Sequence, residues 1–402
     1  MKVVITPSKA NGCILAPPSK SMAHRLLIGA GLAEGVSVVD HVEFSEDIKA
    51  TLGILHALGA DYQVDGCRVV ITGIGSKGFQ TNVLLDSNES GSTLRFFIPI
   101  VLANGGAYQF SGAKRLFERP LGIYEEICKG QNISFKKDEN GLSLDGKLRA
   151  THYKVAGNIS SQFITGLLYA LPLLDKDSIL EVLPPIESKA YISMTLEALQ
   201  TFGIQVKQEG NTFYIPGRQQ YRAQDVYVEG DYSNAAFLEA FNLIGGNVQV
   251  EGLKTNSLQG DQVYSTYFHR LQEGYAELDI SDCPDLGPIL MGMAAACHGA
   301  KLVGTARLKI KESDRGLVMA EELAKFGVGV QLYDNEIIVE EGTLQIPAEV
   351  LQSHNDHRIA MTLATLCTIT GGTIDGAESV KKSYPSYYEV IEDLGVLLTR
   401  VV

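Results

Sequence analysis

Asn88-Glu-Ser-Gly-Ser-Thr-Leu-Arg95 opens the phrase that decides the fold. Its small polar residues give way to an apolar run. The run stops at Asn104-Gly105-Gly106, and Ala107-Tyr-Gln-Phe110 then alternates like a strand. Ser, Asn and Asp before an apolar segment are helix-start residues, because a short side-chain oxygen accepts from backbone N–H groups that the first turn leaves open. Glycine just past the last apolar turn is the matching stop. The phrase therefore predicts loop, helix, turn and strand.

The phrase recurs along the whole chain. Ser19-Lys-Ser-Met-Ala-His-Arg25 runs to Glu34-Gly35, and Gly157-Asn-Ile-Ser-Ser-Gln162 runs to Asp175. Gly230-Asp-Tyr-Ser-Asn234, Ser281-Asp-Cys-Pro-Asp285 and Asn355-Asp-His-Arg358 open three more copies. Turn landmarks at 35, 105, 175, 245, 299 and 371 are spaced by 70, 70, 70, 54 and 72 residues. A second, amphipathic helix follows each strand, as over 47–58, 194–202, 315–326 and 387–394, and several close on a Leu-Gly or Phe-Gly pair. The unit reads as βαβαββ, carried six times. Six units exceed one core, so an α/β protein of two similar domains, three repeats each, is expected. The division falls at 18–228 against 229–402, with 1–17 completing the second domain.

Composition fits that picture. Of 402 residues, 45% are apolar and 20% charged, which excludes a disordered or fibrous chain. A net charge of −13 argues against a nucleic-acid partner. No apolar run reaches the roughly 18 residues of a membrane span, and Met1-Lys-Val-Val-Ile-Thr-Pro7 lacks the apolar region of a signal peptide. Six cysteines, with no CxxC pair, read as buried reduced thiols of a cytoplasmic protein, which is taken as a monomer.

The helix starts carry the chemistry. A helix N-terminus holds partial positive charge and free N–H donors, which suits phosphate. Here cations stand beside several of them: Lys20 and Arg25 at the first, Arg95 in the second, His357 and Arg358 at the sixth. Arg119-Pro120 and Lys381-Lys382-Ser383 add cations in loops. Lys311-Glu-Ser-Asp-Arg315 precedes a helix, and its two cations, four apart, would share a face once helical. Glu312 lies among cations that hold it ionised. Ser160, Ser161 and Gln162 offer neutral hydrogen bonding to sugar-like hydroxyls. Gly73-Ile-Gly-Ser-Lys-Gly78 fits a dinucleotide fingerprint, but strands are expected on both sides of it, so it reads as a glycine hairpin.

With these motifs in order, the chain resembles the 5-enolpyruvylshikimate-3-phosphate synthase family of enolpyruvyl transferases. The resemblance rests on Pro18-Ser-Lys-Ser-Met-Ala-His-Arg25, Glu89-Ser-Gly-Ser-Thr-Leu-Arg95, Arg119-Pro-Leu-Gly122, Ser160-Ser-Gln162, Glu229-Gly-Asp231, Cys283-Pro-Asp285, Lys311-Glu-Ser-Asp-Arg315, Asn355-Asp-His-Arg358 and Lys382-Ser-Tyr-Pro385. It implies an inside-out α/β barrel in each domain, with the active site in the interdomain cleft. It implies transfer of the enolpyruvyl group of phosphoenolpyruvate to the 5-hydroxyl of 3-phosphoshikimate, a step of aromatic amino-acid biosynthesis that releases phosphate. Lys20, Ser21, Arg25, Ser160, Ser161, Gln162, Ser188, Asp285 and Lys311 would bind 3-phosphoshikimate. Lys20, Gly91, Arg119, Gln162, Arg315, Arg358 and Lys382 would bind phosphoenolpyruvate. Asp285 is the candidate to orient and deprotonate the hydroxyl, and Glu312 and Lys20 are the candidates for proton transfer at C3. No metal or organic cofactor is called for.

Some positions depart from the commonest pattern of that family: His24, Glu89-Ser90, Ser92, Tyr232 and Arg307. Two rival readings stand beside it. One is the related transferase acting on UDP-N-acetylglucosamine, which relies on a reactive loop cysteine, whereas Cys128 here lies in an expected helix. The other is a non-catalytic anion-binding protein of the same fold.

Overall fold

The protein is described here by a computed structural model covering residues 1–139 and 141–401. The chain divides into two compact units, Met1–Ser19 with Gly230–Val402, and Lys20–Glu229. Each has a hydrophobic core of its own.

The repeat is explicit in the sheets. In repeat two, strand Leu84–Asp86 leads into helix Gly91–Asn104, strand Gly106–Ser111, helix Gly122–Gln131 and the hairpin Ser134–Lys137 with Gly141–Gly146. The sheet order is first, second, fourth, third, with the first pair parallel and the others antiparallel. Repeat three, from His152–Ala156 to Thr212–Ile215, and repeat five, from Ala276–Asp279 to Glu336–Val339, copy that order. Repeats one and six close it with strands borrowed from afar. Asp225–Tyr227 lies parallel to Val36–Asp40, and Lys2–Ile5 fills the fourth place beside Leu398–Val401.

Helix character follows position. The first helix of each repeat, such as Gly91–Asn104, Ser161–Ala170, Gly287–Ala296 and His357–Thr370, is buried nearly all round. Such helices are apolar on every face. Close approach needs small residues: a Cβ on Gly166 would stand 2.6 Å from the Arg95 carbonyl oxygen of the neighbouring helix. The second helices, such as Glu46–Leu58 and Arg315–Lys325, bury one stripe. Among the described residues, no helix is long and apolar enough to cross a membrane.

Repeat four breaks the pattern, and the break explains the short interval of 54 residues between turns 245 and 299. Strand Asn11–Leu15 pairs parallel with Asn247–Glu251, and among the described residues the hairpin that should follow is missing. The open edge of Asn247–Glu251 is served by side chains instead. The Asn242 amide donates to the Val248 carbonyl at 2.8 Å and accepts from its N–H at 2.7 Å. Glu239 accepts from the Val250 N–H and the Tyr264 hydroxyl, and burial raises its carboxyl above the ordinary range.

Two local expectations are corrected. Residues 73–78 form no hairpin: the strands Arg68–Thr72 and Leu84–Asp86 belong to different sheets, joined through a 3-10 turn at Gly75–Lys77. Cys13 and Cys67 are exposed, while Cys128, Cys283 and Cys367 are buried; all six thiols are free.

Because Asn242 replaces a missing strand, Asn242→Ala strands two backbone groups of Val248. It should lower stability by about 1–3 kcal/mol, read from urea unfolding; an unchanged midpoint would contradict the edge-capping role.

Candidate active site

In the unit Lys20–Glu229 the helix starts are tied side chain to side chain. Lys20, at the head of helix Lys20–Leu32, donates to Asp47 at 2.9 Å in the first turn of helix Glu46–Leu58. Ser90 caps helix Gly91–Asn104 by accepting from the Thr93 N–H. Ser160 caps helix Ser161–Ala170 in the same way through the Gln162 N–H. The Gln162 amide is fixed at both ends, accepting from Arg95 at 2.6 Å and donating to Ser92 at 2.9 Å. Arg119 lies against Gly91 so closely that a Cβ there would sit 2.5 Å from a guanidinium nitrogen. Ser188 holds a left-handed conformation (φ 55°) at the start of helix Lys189–Thr201.

The departures His24 and Ser90 are linked. A buried chain of hydrogen bonds runs from the His24 ring to Thr51 at 2.8 Å, on to Thr93 at 2.8 Å, and to the Ser90 hydroxyl at 2.7 Å. Burial, reinforced by the charges of Lys20 and Arg25, holds His24 well below the usual histidine range, so the ring is neutral. The chain pins three helices at the end that carries Lys20, Asp47 and Gly91.

Arg25 sits deeper than an exposed anion contact. Its donors go to the Ser21 and Tyr191 carbonyls and to the Thr165 and Thr195 hydroxyls. Burial pulls the guanidinium down to about 10, opposed by Tyr169 and Tyr191.

The other unit holds a denser knot of charge. Asp285 is not a cap: it lies in the 3-10 turn Pro284–Leu286, and Leu286 occupies the cap position of the next helix. Its carboxylate takes Lys311 at 3.0 Å, Arg315 at 2.8 Å and Arg358 at 3.2 Å. Burial opposes its ionisation, but Arg358, Lys311 and Arg315 prevail and hold the carboxyl well below the ordinary range. Burial lowers Lys311, with Asp285 opposing. Arg315, 1% exposed, also donates to Glu312 at 2.8 Å and twice to Asp356, at 2.8 and 3.3 Å. Asp356 also accepts from Ser313 and caps helix His357–Thr370. Lys382 donates to the Asn355 carbonyl at 2.6 Å.

What such an arrangement favours is a ligand with several negative charges, met by fixed cations at the helix starts. The EPSP synthase (3-phosphoshikimate 1-carboxyvinyltransferase) family model matches residues 4–391. The chain belongs to that family. A relative from Clostridium perfringens (strain ATCC 13124), named 3-phosphoshikimate 1-carboxyvinyltransferase, is 39% identical over 420 residues, 99% of each chain. One of the same name from Clostridioides difficile (strain 630) is 40% identical over 423 residues, 97% of each chain. In fold, the chain is similar to an EPSP synthase structure from Acinetobacter baumannii, with TM-score 0.78 and 22% identity, over 99% of this chain and all of that one.

One expected geometry is corrected. Lys311 and Arg315 share no helical face, since Lys311 is extended and Arg315 is the first helical residue. They meet through Asp285 instead. The sequence also missed Asp47 and Asp356, which hold Lys20 and Arg315. Both stand in first helical turns or caps, where a carboxylate reads simply as a helix-start residue.

Removing Asp356 leaves a buried guanidinium short of charge. Asp356→Ala should cost about 3–5 kcal/mol, seen as a fall in Tm; a change within about 1 °C would contradict this. The depressed Asp285 carboxyl stabilises the fold above the unfolded-state value of about 4, and that contribution is lost as pH falls through the lower folded value. The Tm gap between wild type and Asp285→Asn should therefore be widest at neutral pH and close in acid. A gap constant with pH would refute it.

Proposed function

We propose that the chain is a 3-phosphoshikimate 1-carboxyvinyltransferase, moving the enolpyruvyl group of phosphoenolpyruvate to the 5-hydroxyl of 3-phosphoshikimate and releasing phosphate. Full-length kinship supports the activity. The observation that carries the chemistry is the convergence of Lys311, Arg315 and Arg358 on one carboxylate. Each substrate brings a phosphate and a carboxylate, and a cluster of fixed cations answers both.

In this reading Arg119, Arg315, Arg358 and Lys382, with Lys20, Gly91 and Gln162, take phosphoenolpyruvate. Lys20, Ser21, Ser160, Ser161, Gln162, Ser188, Asp285 and Lys311 take 3-phosphoshikimate, and Arg25 serves through its charge and its bond to the Ser21 carbonyl. The 5-hydroxyl oxygen bonds to C2 as its proton passes to Asp285, while C3 gains a proton from Glu312 or Lys20. The tetrahedral adduct then loses a proton from C3, the C2–C3 double bond re-forms, and the C2–O bond to phosphate breaks.

Asp285 loaded with three cations is a weak base. Substrate anions compete for those cations, and each one drawn off raises the proton affinity of Asp285. The same anions oppose the pull of Arg315 on Glu312. Fixed charges around the adduct would supply the largest part of the rate gain. The cytoplasm belongs to the same proposal, since small molecules of such charge do not cross membranes unaided.

The nucleotide-sugar rival needs a reactive loop cysteine. Cys128 is buried within helix Gly122–Gln131, and burial pushes its thiol up to about 12. A phosphate-release assay decides. Wild type should release phosphate from phosphoenolpyruvate with 3-phosphoshikimate and not with UDP-N-acetylglucosamine; the reverse would overturn the assignment. Lys20→Met and Glu312→Gln should each lower turnover by about 10²–10⁴-fold with the fold intact, and near-normal rates in both would reject the proton-transfer roles.

A further inference from the structure

Glu322 is a carboxylate 1% exposed, outside the charge knot described above. Burying a charge is strongly unfavourable unless every oxygen is answered. Glu322 takes Lys325 on both oxygens at 2.9 Å, the Gln352 N–H at 3.0 Å and the His354 ring Nε2–H at 2.9 Å. Two of these partners lie in the segment leading to helix His357–Thr370.

That segment is unusual. His354 (φ 51°) and Asn355 (φ 55°) are consecutive left-handed residues with side chains. Such backbone is costly and persists only where the surroundings hold it. The strand before it, Leu351–Gln352, is two residues long and gives little grip. Ser353 adds one anchor, donating to the Gly376 carbonyl at 2.8 Å and accepting from the Asn355 N–H at 3.3 Å. What the kink presents is functional in the reading above. The Asn355 carbonyl receives Lys382, Asp356 receives Arg315, and Arg358 stands in the first turn of the helix.

We infer that Glu322 and His354 are positioning residues for phosphoenolpyruvate, fixing the kinked segment 353–356 so that Lys382, Arg315 and Arg358 stand in their binding arrangement. The helix Arg315–Lys325 thus grips the segment at two points, through Arg315 on Asp356 and through Glu322 on His354. Neither residue contacts substrate. The inference rests on the functional reading above.

Lys325 separates positioning from plain stability. It bonds Glu322 and the Val350 carbonyl but no residue of 353–356. With the full-length enzyme and phosphate release as the readout, Glu322→Gln and His354→Phe should each raise KM for phosphoenolpyruvate about tenfold. KM for 3-phosphoshikimate should stay within about twofold, and the double variant should be little worse than either single one. Lys325→Met should lower Tm without that shift in KM. Unchanged KM in both Glu322→Gln and His354→Phe, or an equal rise in Lys325→Met, overturns the inference. His354 is partly exposed, so its variant remains informative if Glu322→Gln folds poorly. Calorimetric titration of phosphoenolpyruvate alone, with no acceptor to react, reads the same order of affinities without turnover. A wild type that binds but does not turn over would fail the functional reading while still testing this one.

Discussion

A guanidinium shut away from water must have its charge and its N–H donors answered inside the protein, and at Arg315 carboxylates do it. Its partners come from three places: Asp285 in the turn before one buried helix, Glu312 in the preceding loop, and both oxygens of Asp356 at the cap of another helix. Repeats five and six are locked to each other through this one side chain. The same contacts leave Asp285 over-supplied with positive charge. A cluster organised in this way is stable only while its acids remain ionised.

The fold was largely legible because one grammar was repeated. Small polar residues before an apolar run, then glycine, then alternation, marked each helix start and strand. The 54-residue interval was legible as an irregularity but not as a truncated sheet, because the replacement for the hairpin is two side chains, Asn242 and Glu239, with no pattern of their own. Residues 1–17 were legible as completing the second domain, whereas the borrowed strand Asp225–Tyr227 was harder still, since pairing with the distant Val36–Asp40 leaves no local signal. The 73–78 turn misled because its flanking apolar residues serve different sheets.

For the candidate site, the cations were readable, as were the acids Asp285 and Glu312, but the counter-ions Asp47 and Asp356 were not. Lys20, Lys311, Arg315 and Arg358 stand out beside helix starts. Asp47 and Asp356 look like ordinary first-turn acids until the structure puts each against a cation. Arg25 shows the converse: the family resemblance implies a contact to 3-phosphoshikimate, while the structure adds the threonine hydroxyls and backbone carbonyls that surround it. His24 and Ser90, notable in sequence only as departures, gain their meaning from Thr51 and Thr93, which lie between them.

Across both units the theme is the same. Buried helices end in polar starts, the starts are capped and cross-braced, and positive charge is held there by acids, which the proposed function has substrate anions displace. The direct test is a crystal structure with phosphoenolpyruvate or a stable analogue and 3-phosphoshikimate bound. The account requires ligand phosphate or carboxylate oxygens within hydrogen-bond distance of Lys311, Arg315 and Arg358, with Asp285 giving up at least one of its three cations. Ligands bound away from those side chains, with Asp285 still holding all three, would contradict it.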